Sequence, residues 1–204
     1  MIFDVLIIGG GVAGMQCALV LGSAKDKWFT EGKNIGIIMH QRSSHLQNAL
    51  FNNVLGLEPG ALGKDILQMG KDQLHELYPH VNQINGEKVE AVLDDENGFK
   101  IITNKQEYFS KSVVIALNYA KPFNIAGLEQ YIEKHSRANP MKDRIQLRNF
   151  NHLIKDGLYV CGTIAGWRSQ YAIAAGSGAS VATDILTLWN DNISTKVHDK
   201  IKAE

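Results

Sequence analysis

The sequence predicts an α/β fold: a central parallel sheet with helices on one side and a small antiparallel β-meander on the other. Three observations predict it. First, residues 3–8 (FDVLII) form an apolar, β-branched run, followed at once by Gly9-Gly10-Gly11 and a stretch of small and apolar residues. Second, residues 35–39 (IGIIM), 112–117 (SVVIAL) and 158–161 (LYVC) are further apolar runs that no charge interrupts. Such runs suit strands buried on both faces, as a parallel sheet requires. Third, three short segments between residues 88 and 109 are separated by the turn signals at 94–98 (DDENG) and 104–105 (NK), the pattern of a meander.

In chain order, the first run is a strand and residues 12–21 form a helix packed through small residues. Residues 25–34 (KDKWFTEGKN) are a polar loop, and residues 35–39 are the second strand, which completes a βαβ unit. Residues 40–63 are rich in Asn, Ser and Gly and read as irregular, with one short helical turn. Residues 65–78 carry apolar positions at helical spacing, and Pro79 ends that helix. The meander strands are 88–93, 99–103 and 107–109, followed by a separate buried strand at 112–117. Residues 118–156 are mixed and polar, residues 158–161 form a last strand, and a closing helix runs to Trp189. The organisation read from this is one domain over residues 1–189 and a polar tail over 190–204.

Composition bounds the function. The 204 residues are 45% hydrophobic and 21% charged, which is ordinary for a globular chain and argues against several full domains. Twenty-one Lys and Arg balance 21 Asp and Glu, so no basic field is present to hold nucleic acid or an anionic membrane. Cys17 and Cys161 are too few for a disulfide framework. No apolar run approaches 18 residues, and the first residues lack the basic segment and cleavage site of a signal peptide. The expected setting is cytoplasmic and reducing, without nucleic-acid or membrane partners. The seven histidines show no metal-ligand spacing, so most read as surface or loop residues and no metal is expected.

Gly9-x-Gly11-x-x-Gly14 carries the chemistry. The first Gly allows a tight turn out of the strand, the second lets backbone approach a pyrophosphate, and the third lets the helix lie close on the sheet. The phosphates then meet free N–H groups at the helix start. Lying between a strand and a helix, the motif reads as a Rossmann-like FAD/NAD(P)-binding turn. Such a site usually adds an acid at the end of the second strand, for the ribose hydroxyls. That end is Met39-His40-Gln41-Arg42, with no acid among them. His40 or Gln41 can hydrogen-bond a ribose as neutral groups, and Arg42 can face a phosphate or stack on adenine.

With these residues in place, the chain resembles the FAD domain of the thioredoxin-reductase-like, FAD-dependent pyridine nucleotide-disulfide oxidoreductases. The resemblance rests on the Gly9–Gly14 turn, on VVIALNYAKPFNIAGL at 113–128, on GLYVCGT at 157–163 with the helix after it, and on the segment from Arg42 to Leu67. It implies FAD as cofactor. It implies that Gly9, Gly11, Val12, Ala13 and Gly14 hold the pyrophosphate, and that Met39, His40, Gln41 and Arg42 lie beside the adenosine ribose. It further implies that Val89 meets adenine through its backbone and that Ala116, Leu117 and Asn118 line the pyrophosphate edge. Gly162 and Thr163 meet the ribityl chain, and Tyr171 and Ala172 lie near the flavin pyrimidine.

The departures are equally specific. Thr163 stands where the family has Asp, and Ala116-Leu117-Asn118 where it has Ala-Thr-Gly. No Cys-x-x-Cys exists, so disulfide exchange by that motif is not available. Only 30 residues separate Gly127 from Gly157, where a nicotinamide-nucleotide domain needs on the order of 100. The expected function is a small single-domain FAD-dependent oxidoreductase acting on an unknown acceptor, with no side chain assigned as acid or base. Its partners would be a small-molecule or protein redox partner and a separate reductase, with a homodimer left open. The alternative is a non-catalytic dinucleotide-binding or interaction module that keeps the fold. Trp167 and Arg168, just before the last helix, can shield a flavin or block a nicotinamide, or pack as a surface loop.

Overall fold

A computed structural model describes residues 2–40 and 44–198. The elements are β1 (Ile2–Ile8), α1 (Val12–Ser23), β2 (Ile35–Met39), β3 (Leu50–Phe51), β4 (Ala61–Leu62), α2 (Gly63–Leu77), β5 (Val81–Asn85), β6 (Val89–Asp95), β7 (Gly98–Thr103), β8 (Glu107–Ile115), β9 (Ile132–Lys134), β10 (Ile145–Leu147), β11 (Leu153–Lys155), β12 (Leu158–Val160) and α3 (Tyr171–Trp189). The main sheet has the order β11-β12-β8-β1-β2-β5. Within it, β12, β8, β1, β2 and β5 pair in parallel. The meander β6-β7-β8 is antiparallel and grows from the same sheet.

β1 is the central strand, and its alternation sorts two cores. Val5 and Ile7 face one side, where α1 and α3 bring Cys17, Leu21, Val181, Ile185 and Leu186. Leu6 and Ile8 face the other, where β6, β7 and β10 bring Val92, Ile101, Ile145 and Leu147. At the crossing of α1 and α3, a Cβ on Gly178 would lie 2.0 Å from the Ala13 carbonyl oxygen, so the helices meet backbone to backbone.

Three differences from the sequence reading have physical causes. The two segments expected at 107–109 and 112–117 are one strand, β8. Its polar centre is satisfied without leaving the ladder: the Ser110 hydroxyl donates to the Ser112 carbonyl (2.6 Å), and Lys111 pairs with Asp4 (3.0 Å). β5 (VNQIN) was not anticipated, because its polar side chains hide it. The Asn82 amide donates to Asn34 Oδ1 (2.9 Å), and the Gln83 amide donates to the Lys71 carbonyl (3.0 Å). Finally, α3 is by length and composition long and apolar enough to cross a membrane, although no continuous apolar run suggested it. Its Ala, Gly, Ser and Thr serve close packing, and Val181, Ala182, Ile185 and Leu186 are fully buried against α1 and the sheet.

Beyond α3, the Thr195 N–H donates to Thr187 Oγ1 (3.0 Å), and Val197 packs against the α1–α3 core.

Candidate functional site

A cleft of about 800 Å³ opens where β1, β2 and β8 end, the usual ligand position on an open parallel sheet. Its floor is the turn from Gly9 to Ala13. The three motif glycines are needed for different reasons. Gly9 has φ +119°, and a Cβ there would lie 2.3 Å from the Ala116 carbonyl oxygen. A Cβ on Gly14 would lie 1.9 Å from the Gly9 carbonyl oxygen. Among the described residues, a Cβ on Gly11 would meet nothing within 4 Å beyond its chain neighbours. The chain itself therefore demands the first and third glycines, while the second leaves space on the cleft side. α1 starts beside that space with no side-chain cap and no acid in its first turn. Open volume over backbone N–H groups at a positive helix end fits a pyrophosphate.

The predicted residues separate into four groups. Gly9, Gly11, Val12, Ala13, His40, Val89, Ala116, Leu117, Asn118, Thr163 and Tyr171 all line the cleft. Gly14 and Gly162 lie beneath it: Gly162 has φ +76°, and its Cβ would lie 2.9 Å from that of Ala13. Met39 turns its side chain into the α1-side core, because β2 alternation sends it there, and Ala172 is exposed outside the lining. Gln41 and Arg42 lie outside the described residues.

Sequence reading missed the wall made by Glu87 and Lys88, which follows the unrecognised β5. It also missed Phe51, which meets Tyr171 edge-on (5.3 Å) at the α3 end of the cleft. Burial raises the Tyr171 phenol, keeping it a neutral hydroxyl beside the cleft.

Two histidines expected at the surface are instead 5% and 8% exposed, and they fix the turn after β12. His135 Nδ1 accepts the Arg137 N–H (3.0 Å), so its Nε2 carries the proton donated to the Thr163 carbonyl (3.0 Å). Trp167 Nε1 donates to His152 Nε2 (3.0 Å), and an indole N–H can only donate. His152 Nε2 is therefore an acceptor, and the Ser177 hydroxyl 2.9 Å away shares its single lone pair with the indole. Ser177 Oγ in turn accepts the Gly162 N–H (2.8 Å). Burial lowers the His152 pKa, partly opposed by Asp184, in keeping with a neutral ring. Trp167 is thereby held between the Arg137 guanidinium (4.5 Å) and the His152 ring (5.8 Å); Ser169 and Gln170, and not Trp167, reach the cleft.

Both cysteines are free and fully buried. Burial pushes the Cys161 thiol up to about 12, and burial with the nearby Cys161 raises Cys17 well above the ordinary range. Thiolate chemistry is closed to both. A thiol reagent is expected to label neither in the folded protein and both in denaturant; labelling of the folded chain would contradict this burial.

Glu87 is 6% exposed. Burial alone would raise its carboxyl, but hydrogen bonds from Thr103, Gln106 and Tyr108, with Lys105 nearby, outweigh that and hold it below the usual range. Among the described residues no cluster of His, Cys, Asp or Glu could hold a metal ion.

Comparison with known proteins agrees with this geometry. Among solved structures, a thioredoxin reductase from Gloeobacter violaceus superposes with a TM-score of 0.74 at 13% identity, over 99% of both chains. An oxidoreductase from Agrobacterium tumefaciens gives 0.71 at 15%, over 92% of this chain and 99% of that one. L-proline dehydrogenase from P. horikoshii gives 0.65 at 15%, over 93% of this chain and 56% of that one. No curated protein matches in sequence. The pattern of the pyridine nucleotide-disulphide oxidoreductases matches residues 3–178, a span that holds the glycine turn, the meander and the turn after β12. The chain belongs to the pyridine nucleotide-disulphide oxidoreductase family, corresponding to its FAD domain.

Proposed function

We propose that the protein is a small FAD-dependent oxidoreductase in which the flavin passes electrons between a separate reductant and an acceptor. The observation that carries this reading is the open space over Gly11 at the uncapped start of α1, in a cleft long enough to continue to Tyr171. When bound, the flavin would supply the redox chemistry. The chain would supply the rest. The Gly9–Ala13 turn would hold the pyrophosphate, Thr163 would offer a hydroxyl to the ribityl chain, and Phe51 and Tyr171 would close the apolar end.

The buried, protonated cysteines take thiol exchange out of the reaction. Electrons would then leave by direct transfer from the flavin. The reductant would be a separate reductase or a nicotinamide nucleotide that reaches the cleft directly.

A visible absorption spectrum of the purified protein tests this, repeated after adding FAD. Flavin bands that stay with the protein on gel filtration, and bleach with a reductant, are the expected result. A protein that remains colourless after reconstitution, yet is stabilised by ADP or NAD, overturns the redox reading in favour of a nucleotide-binding module.

A further inference from the structure

We propose that Glu87 supplies the ribose-binding carboxylate that the end of β2 lacks, reaching the adenosine half of the dinucleotide from the neighbouring strand. This rests on the dinucleotide reading above and adds to it a residue, a hydroxyl and a specificity.

The argument starts from a gap. A dinucleotide site of this kind uses an acid after the second strand to accept the ribose 2′-hydroxyl. Here that place holds Met39, His40, Gln41 and Arg42. The ribose still needs an acceptor, and among the described residues that line the cleft Glu87 is the one carboxylate. Its place in the chain brings it close. β5 pairs with β2 up to Met39 opposite Asn85, and the next N–H, of Gly86, donates to the Met39 carbonyl (2.8 Å). Glu87 thus lies two residues beyond Asn85, the partner of the last β2 residue, and lines the same cleft as His40 and Val89.

Its hydrogen bonding leaves room for one more donor. The Thr103 hydroxyl donates to Oε2 (2.8 Å). The Gln106 amide (3.2 Å) and the Tyr108 hydroxyl (3.0 Å) donate to Oε1. An ionised carboxylate has about four accepting positions, so Oε2 keeps one. The three donors come from the β7–β8 hairpin, so the group is oriented before any ligand arrives, which lowers the entropic cost of binding. A carboxylate there also repels an adenosine 2′-phosphate, so the site selects an unphosphorylated ribose.

The test is calorimetric binding of ADP, 2′-deoxy-ADP, FAD and FMN to the full chain and to Glu87→Gln. The wild type is expected to bind ADP about tenfold more tightly than 2′-deoxy-ADP, the value of one hydrogen bond to a charged group. Glu87→Gln should lose that factor for ADP and FAD and leave 2′-deoxy-ADP and FMN unchanged. Equal wild-type affinity for ADP and 2′-deoxy-ADP overturns the assignment without any variant. A Gln variant that weakens all four ligands together also overturns it, since that marks a purely structural clasp. A wild type that binds FAD, with Glu87→Gln indistinguishable from it, rejects Glu87 and keeps the flavin reading. A wild type that binds no adenine nucleotide rejects both.

Discussion

Gly11→Val is expected to fold with a Tm within a few degrees of wild type and to lose flavin affinity by at least about 100-fold. Among the described residues nothing beyond the chain neighbours lies within 4 Å of the new Cβ, and the backbone there is extended, a conformation valine accepts. The branched side chain would fill only the space over the start of α1. Gly14→Ala should show the reverse pattern. Its methyl would lie 1.9 Å from the Gly9 carbonyl oxygen, so the turn or the helix must shift, at a cost of about 3 kcal/mol or more. Thermal denaturation and flavin titration of the two variants separate the roles. A Gly11→Val protein that binds FAD like wild type would mean that no phosphate crosses this turn.

His152→Leu is expected to destabilise the protein by about 1–3 kcal/mol, because the buried Ser177 hydroxyl and the partly exposed Trp167 indole N–H lose the acceptor they share. It should also change how stability depends on pH. In the unfolded chain a histidine titrates near about 6.5. Burial holds the folded-state value of His152 lower, against a smaller opposing effect of Asp184. Above the unfolded value neither state is protonated and His152 adds no slope. As pH falls below it, the unfolded chain takes up a proton that the folded one refuses, so stability declines until the folded value is reached. His45 and His80 are lowered in the same direction and remain in the variant, so the signature is the difference between the two curves. Urea unfolding at pH 7.5 and 5 measures it. An unchanged pH slope in His152→Leu would refute a neutral, accepting ring.

The sequence made one half of the site legible and hid the other. β1, its glycines and α1 were readable because steric demand and hydrophobic period coincide there. The region around β12 was readable for the same reason, since Leu158, Tyr159 and Val160 are all buried before Gly162. β5 was not, because Asn82 and Gln83 make it look like loop while their amides are bonded to Asn34 and Lys71. Missing that strand meant missing Glu87, which lies just past it. His135 and His152 read as surface or loop residues in the sequence because nothing local reveals their partners. Thr163 lies 28 residues from His135, and Ser177 lies 25 from His152. Long-range polar pairs of this kind leave no periodic trace in a chain.

The β9–β10 pair has a consequence for how such a chain varies in size. Ile132 is opposite Leu147 and Lys134 opposite Ile145, so the chain leaves the sheet region and returns to it side by side. The connection from His135 to Arg144 carries the most exposed large apolar side chain near that pair, Met141, at 91%. Because both ends are already hydrogen-bonded neighbours, the entropy of closing the connection rises only logarithmically with its length, by about 0.6 kcal/mol for each doubling. Added length is therefore best tolerated in its exposed stretch, residues 139–143, because His135 and Arg137 at its start are bonded to the turn after β12 and to Trp167. Paired ends with an exposed middle make this ten-residue connection, from His135 to Arg144, a place where length can vary while the strands that flank it stay in register.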